Sequence, residues 1–265
     1  MIPVKKKFQN IPSILTKKAR KDAFNQNITS GKYADEKNKY KVASVQKRLH
    51  TIYHLKCAYC EKSLLDSPRH IEHYRPKSIY YWLAYSWDNL LLCCGSCNSF
   101  KTNNFETTNA AVKYNNEAFV NIHTLGHRYN EIEEPQIINP ETEDILDLIS
   151  FDKTGQIKST DARVQHTINT ACNLNRSDLV KLRNSIVTDF INRMNRHYFY
   201  YKRQGDIKKF VPDIKNFIEN CTVEKEFYAF RYFVSHHIEV FVEDKGLQKI
   251  LSTLFLKFRL RRKNK

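Results

Sequence analysis

Apolar residues recur at helical spacing over much of this chain. In SDLVKLRNSIVTDFINRMNRHYFYY, Leu179, Leu182, Ile186, Phe190 and Met194 follow one another at three- and four-residue steps, and Ser177 stands where an N-cap belongs. Thr222 opens a second helix, VEKEFYAFRYFVSHHIEVFV, and LQKILSTLFLKFRL forms a last one, so the C-terminal part is predicted to be helical to its end. Near the other end, IPSILTKKARKDAF and DEKNKYKVASVQKRLHTIYH also read as helices. In the second, Asp35 can cap the start. Val42, Val45, Leu49, Ile52 and Tyr53 share one face, and the opposite face is Lys, Arg and Gln. Between these blocks the signals are short and irregular. SFDKTGQIK reads as a hairpin in which Gly155 closes the turn between Phe151 and Ile157.

These patterns divide the chain into four segments: a basic helical one at 1–54, an irregular one at 55–110, a connecting one at 111–175 and a helical one at 176–265. A hydrophobic content of 41% is enough for a real core, which excludes wholesale disorder. Charge changes the picture more. The formal net charge is +16, and residues 1–50 hold thirteen Lys or Arg against three acids. Such a balance favours a polyanionic partner, nucleic acid before an anionic membrane surface. Residues 131–152 reverse the sign, with eight acids and no base, and are expected to form a solvated loop. No apolar run is long enough to span a bilayer, and MIPVKKKFQN lacks the apolar stretch of a secretory signal, so the expected address is the cytoplasm.

Four of the seven cysteines fall into two C-x-x-C pairs, Cys57 with Cys60 and Cys94 with Cys97. In a cytosolic chain that spacing points to metal binding rather than to disulfides, and four thiolates are what a closed tetrahedral Zn²⁺ site wants. Cys93 reads as a core neighbour, with a register ambiguity against Cys94; Cys172 and Cys221 read as core. The aromatic run IYYWLAYSW also reads as core, with Trp87 plugging the apolar side of the segment.

Between the two pairs lies RHIEHYRPK, where Glu72 directly precedes His73 and His70 stands two positions earlier. Hydrolysis of a phosphodiester needs an activated water, a cation at the phosphate and positive charge nearby. His73 has an ordinary pKa near ~6.5 and can accept a proton in its neutral form. Glu72 and Asn98 offer hard oxygen ligands suited to Mg²⁺ or Mn²⁺. Lys101, three residues after Asn98, shares its face if a helix starts at the second pair, and is expected to meet the phosphate. One tension is geometric: neighbours on a regular strand point to opposite faces, so Glu72 and His73 serve one site only if the strand ends or distorts there. The Arg75-Pro76 pair favours an ending.

The order C-x-x-C, E-H-x-x-P-K, D-N-L-L and C-x-x-C-N-x-x-K over residues 57–106 resembles an HNH endonuclease in its zinc-bearing form. More narrowly, HIEHYRPKS and YYWLAYSWDNLLLCCGSCNSFK resemble the HNH effectors of retron and Septu-type anti-phage systems, the PtuB-like nucleases. The resemblance implies an α+β, mostly α protein built on a ββα-metal core. It implies His73 as general base, Glu72 and Asn98 as ligands of the catalytic ion, and Asn89 as the holder of a loop through hydrogen bonds. Two departures stand out. Glu72 replaces the Asp found before the histidine in many such motifs, and Asn98 stands in place of a second histidine. His70 could orient the site or merely cap the strand.

The expected activity is metal-dependent cleavage of DNA, double-stranded DNA being favoured over RNA. The resemblance implies control by an ATPase of the PtuA type, for which the C-terminal helices are the expected docking surface. Two other readings stay open: a catalytically silent, zinc-stabilised nucleic-acid adaptor, and an HNH restriction enzyme acting alone.

Overall fold

The computed structural model describes Val4 and residues 6–263, so the first residues of MIPVKKKFQN and the last two of RLRRKNK lie outside it. The protein is mostly helical with two small antiparallel sheets, and the four segments gather into two compact units. The first comprises Met1–Ile145 with Asp161–Leu174, the second Leu146–Thr160 with Asn175–Lys265. The basic N-terminal segment is therefore part of the first unit. No helix among the described residues is long and apolar enough to cross a membrane.

In the first unit, α1 (Lys18–Ser30) ends at Gly31, whose φ of 61° gives the left-handed C-cap that glycine tolerates best. The next helix, α2 (Ala43–Ile52), starts seven residues later than the acidic cap at Asp35 implies. Asp35 instead closes a preceding turn, accepting the Lys39 N–H at 2.7 Å and the Tyr85 hydroxyl at 2.8 Å. Val45, Leu49 and Tyr53 of the predicted apolar face are buried. Strand β1 (Arg69–His73) pairs antiparallel with β2 (Leu90–Cys94), and α3 (Gly95–Lys101) follows at once. The unit is completed by two one-turn helices, α4 (Leu125–Arg128) and α5 (Asn130–Glu133), and by α6 (Ala162–His166), which runs into a π turn at Thr167–Ala171. Tyr80, Trp82, Tyr85 and Trp87 are all buried, as the aromatic run predicts.

In the second unit, β3 (Ile149–Phe151) and β4 (Ile157–Ser159) form the predicted hairpin, with Phe151 opposite Ile157 and Gly155 at φ 86°. Helix α7 (Ser177–Gln204) is capped by Arg176, so Ser177 is its first residue and not its cap. Its buried face runs through Leu179, Arg183, Val187, Phe190 and Met194. Arg183 takes the place expected of Leu182 because its guanidinium donates to the Gly155 carbonyl at 2.6 Å while its stem packs inward. A helix that the apolar spacing did not mark, α8 (Val211–Glu219), carries Pro212 in its first turn. Then α9 (Tyr228–His236) starts six residues after Thr222, following Phe227 at φ 53°, and α10 (Lys245–Lys263) closes the unit.

The acidic stretch departs from its expected role as a solvated loop. Glu133 and Glu141 are buried, and each neutralises a buried cation of the first unit. Glu141 accepts from Lys6 Nζ at 2.9 Å and from the Tyr53 hydroxyl at 2.5 Å, while Lys6 also donates to the Leu90 carbonyl and lies 4.1 Å over the Trp87 ring. Arg75 is held by Glu133 at 2.8 Å and by Asn130 Oδ1 at 2.8 Å. The other Glu133 oxygen accepts from the Tyr80 hydroxyl and the Val112 N–H. A buried pair of this kind contributes little net stability while intact, because desolvation offsets the attraction; breaking it strands a charge. Replacing Arg75 with Met is therefore expected to cost about 3–5 kcal/mol, read as a fall in the urea midpoint. An unchanged midpoint would show that Glu133 does not depend on Arg75.

Candidate functional site

The first cysteine pair lies in a tight turn: the Cys57 N–H donates to the Lys62 carbonyl, and Glu61 sits at φ 63°. The Ala58 N–H donates to the Leu92 carbonyl at 2.9 Å, tying that turn to β2. Cys94 ends β2 and caps α3, its sulfur accepting the Cys97 N–H at 3.4 Å. All four Sγ atoms, of Cys57, Cys60, Cys94 and Cys97, lie within 4.8 Å of one another and are buried. A tetrahedron with zinc–sulfur bonds of ~2.3 Å has edges of about 3.8 Å, and the Cys60–Cys94 separation is 3.8 Å. The set could hold zinc. Cys93 borders the set, its sulfur 3.7 Å from that of Cys57, but it is not one of the four that all lie within 4.8 Å of one another. Crowding matters here: the Cys57 sulfur above all holds the Cys60 and Cys97 thiols well above their ordinary range, an arrangement that a bound cation would relieve.

Strand β1 stays paired through its last residue, with Glu72 opposite Leu91 and His73 opposite Leu90. No distortion brings the two side chains to one face. Glu72 turns to α3, where Lys101 Nζ lies 3.0 Å from Oε1. His70 lies on the same side, against Gly95, where an added Cβ would come 3.5 Å from Nε2. His73 turns instead to the loop between the strands. Its Nε2 is 3.0 Å from the Ala84 carbonyl, and Tyr40 meets its ring edge-on at 4.5 Å. Asn89 pins that loop: Oδ1 accepts the Arg75 N–H at 2.7 Å, and Nδ2 donates to the Arg75 and Leu83 carbonyls. Asn98 is half-buried on α3, one turn from both Gly95 and Lys101.

Lys101 departs from its expected role. It is fully buried, and its ammonium donates to the His73 carbonyl at 2.9 Å as well as pairing with Glu72, so it does not face a substrate phosphate. It holds the end of β1 to α3. Burial raises the Glu72 carboxyl above its ordinary value, and Lys101 pulls it back. Burial also drives the His73 imidazole down to about 3, against the Ala84 carbonyl, with Lys77, Lys101 and Lys41 adding to the effect. A carbonyl can only accept, so the neutral ring carries its hydrogen on Nε2 and leaves the Nδ1 lone pair available.

A family model of HNH endonucleases matches residues 57–104, the span from the first cysteine turn to the end of α3. The chain is also 35% identical over 134 residues to the Septu protein PtuB of Bacillus mycoides (strain KBAB4). That similarity covers 45% of this chain and 42% of the relative, so less than half of the relative's length is spanned.

Two side chains next to His73 were not among the candidate site residues read from the sequence. Tyr40, read as part of a helix, lies in a turn before α2, and burial first, with Glu72 next, holds its hydroxyl above the ordinary range. Lys77 ends the motif stretch itself. Its ammonium donates to Asn38 Oδ1 at 3.1 Å and the Tyr40 hydroxyl at 3.2 Å, and lies 3.9 Å over the Tyr33 ring. Periodicity cannot reveal contacts made between residues 33–40 and 73–77.

The cysteine geometry makes a direct prediction. Purified protein is expected to carry one zinc per chain by elemental analysis, Cys60→Ser to lose it and Cys93→Ser to keep it. Retention by Cys60→Ser together with loss by Cys93→Ser would move the fourth ligand to Cys93.

Proposed function

We propose that this protein is a metal-dependent DNA endonuclease that acts as the effector of a bacterial anti-phage defence system in the cytoplasm, controlled by a PtuA-type ATPase. The observation that carries the reading is the setting of His73 within the span matched by the HNH model: its Nε2 is engaged by the Ala84 carbonyl, which leaves Nδ1 as the nitrogen that can accept a proton. The similarity to the Septu protein PtuB supports the defence role, and the +16 charge supports a polyanionic substrate.

Held by Glu72 and Asn98, a Mg²⁺ or Mn²⁺ ion would supply the positive charge that stabilises the phosphate as it is attacked. In this reading His73 takes a proton from water onto Nδ1 as the water oxygen bonds to phosphorus and the bond to the leaving strand breaks. Asn89 and Ala84 keep the ring in place. In this reading Glu72 and His73, adjacent at the end of β1, act from opposite faces of the strand. Lys101 is bonded to the Glu72 carboxylate and competes with the ion for it, which gives the resting site a closed ion pair to open.

Plasmid nicking with Mg²⁺ or Mn²⁺ tests the proposal. His73→Ala is expected to lower the rate by roughly 10²- to 10⁴-fold, the range for loss of a general base. Equal nicking by the two proteins would remove His73 from that role. No nicking by either, even with a co-purified ATPase partner, would favour the silent adaptor.

A further inference from the structure

The end of α7 presents an unusual surface. Phe199 and Tyr200 are 48% and 46% exposed, and Ile207, just beyond the helix, is 41% exposed. Isolated apolar residues at a surface need no explanation, but the exposed Phe199 and Tyr200 rings meet at 5.6 Å and form one aromatic patch. Cations are laid over the rings. Arg203 lies 3.9 Å from the Phe199 centroid, Lys209 lies 4.8 Å from that of Tyr200, and Lys202 lies 4.7 Å from that of Tyr198. Lys209 donates to Gln204 Oε1 at 3.3 Å and Lys202 lies in the field of Asp244, while Arg203 makes no ion pair among the described residues. Arg193 to Lys209 contains six Lys or Arg against one acid, and that acid, Asp206, is spent on the Lys208 N–H at 2.9 Å.

We infer that this patch is a binding site for single-stranded nucleic acid. Each cation covers part of one ring face and stands ready for a backbone phosphate. The exposed remainder of the Phe199 and Tyr200 rings offers a flat surface on which unpaired bases stack. An acidic peptide would satisfy the cations but leave the rings without a π partner, and duplex DNA keeps its bases stacked on one another. Charge and ring geometry together therefore select an unpaired strand. The site lies wholly in the second unit, on elements that carry none of the HNH motif. It deepens the nuclease reading and rests on it for its biological sense, adding a strand-holding surface to a cleaving protein, but binding here does not require cleavage.

Fluorescence anisotropy with a labelled 20-mer of dT, and with a duplex of the same length, tests it on the full zinc-bearing chain without added Mg²⁺ or Mn²⁺. Phe199→Ala with Tyr200→Ala is expected to weaken single-strand binding roughly tenfold or more, from the ~1–3 kcal/mol per stacked base, while duplex affinity and the salt slope hold. Lys202→Gln with Arg203→Gln is expected to flatten the salt dependence by about one unit of slope per lost phosphate contact. The inference is overturned if the aromatic pair leaves dT binding unchanged or weakens single strand and duplex alike. It is also overturned if the patch retains vesicles of phosphatidylglycerol and not the oligonucleotide. Because no catalytic ion is present, failure here is separate from failure of the His73 nicking test.

Discussion

The antiparallel register between Arg69–His73 and Leu90–Cys94 is the constraint on which the site depends. Side chains alternate along a strand, so this one register decides that Glu72 and His70 look toward α3 while His73 looks toward the 74–89 loop. A slip by one residue would exchange them. Cysteine spacing protects the register at one end, because Cys94 must close β2, cap α3 and join Cys57, Cys60 and Cys97 at once. Lys101 protects it at the other, bonding the backbone of His73 and the carboxylate of Glu72 from a single ammonium.

Buried charge is the second theme. Lys6, Arg75 and Lys101 are all inside the first unit, and each meets a carboxylate within about an ordinary hydrogen-bond length. Two of those carboxylates, Glu141 and Glu133, come from one acidic stretch more than fifty residues further along the chain. Such pairs specify one arrangement more than they stabilise it, since a shifted loop would leave a charge without its counter-ion in low dielectric. The loop that carries Asn89 and Ala84 to His73 is built on this basis: Arg75 is fastened by its side chain to Glu133 and by its backbone to Asn89.

Much of the architecture was legible because its signals are local. The apolar stripes of α7 and α10, the Gly155 hairpin, the two cysteine pairs and the buried aromatic run each depend on neighbours within a few turns. Boundaries were less legible. Asp35 and Ser177 look like caps from their chemistry, yet Asp35 serves a turn and Ser177 lies inside its helix, since a cap depends on where the backbone leaves the helical region. The face of α7 shifted from Leu182 to Arg183 because burial follows a hydrogen bond to Gly155 that no hydropathy pattern contains.

By itself the sequence determined which groups are available for chemistry: four thiolates in two knuckles, a carboxylate beside an imidazole, an asparagine and a lysine one turn apart. Tertiary structure alone decided what each group touches. It turned Lys101 inward from an expected phosphate to Glu72, and it brought Tyr40 and Lys77 to His73. It also set the ring nitrogen against Ala84 and made counter-ions of an acidic run that reads as a solvated loop. The physical reason is separation along the chain. Periodicity reports which side of an element is apolar, whereas the charge state and partner of a buried polar group depend on side chains that only folding brings within a few ångströms.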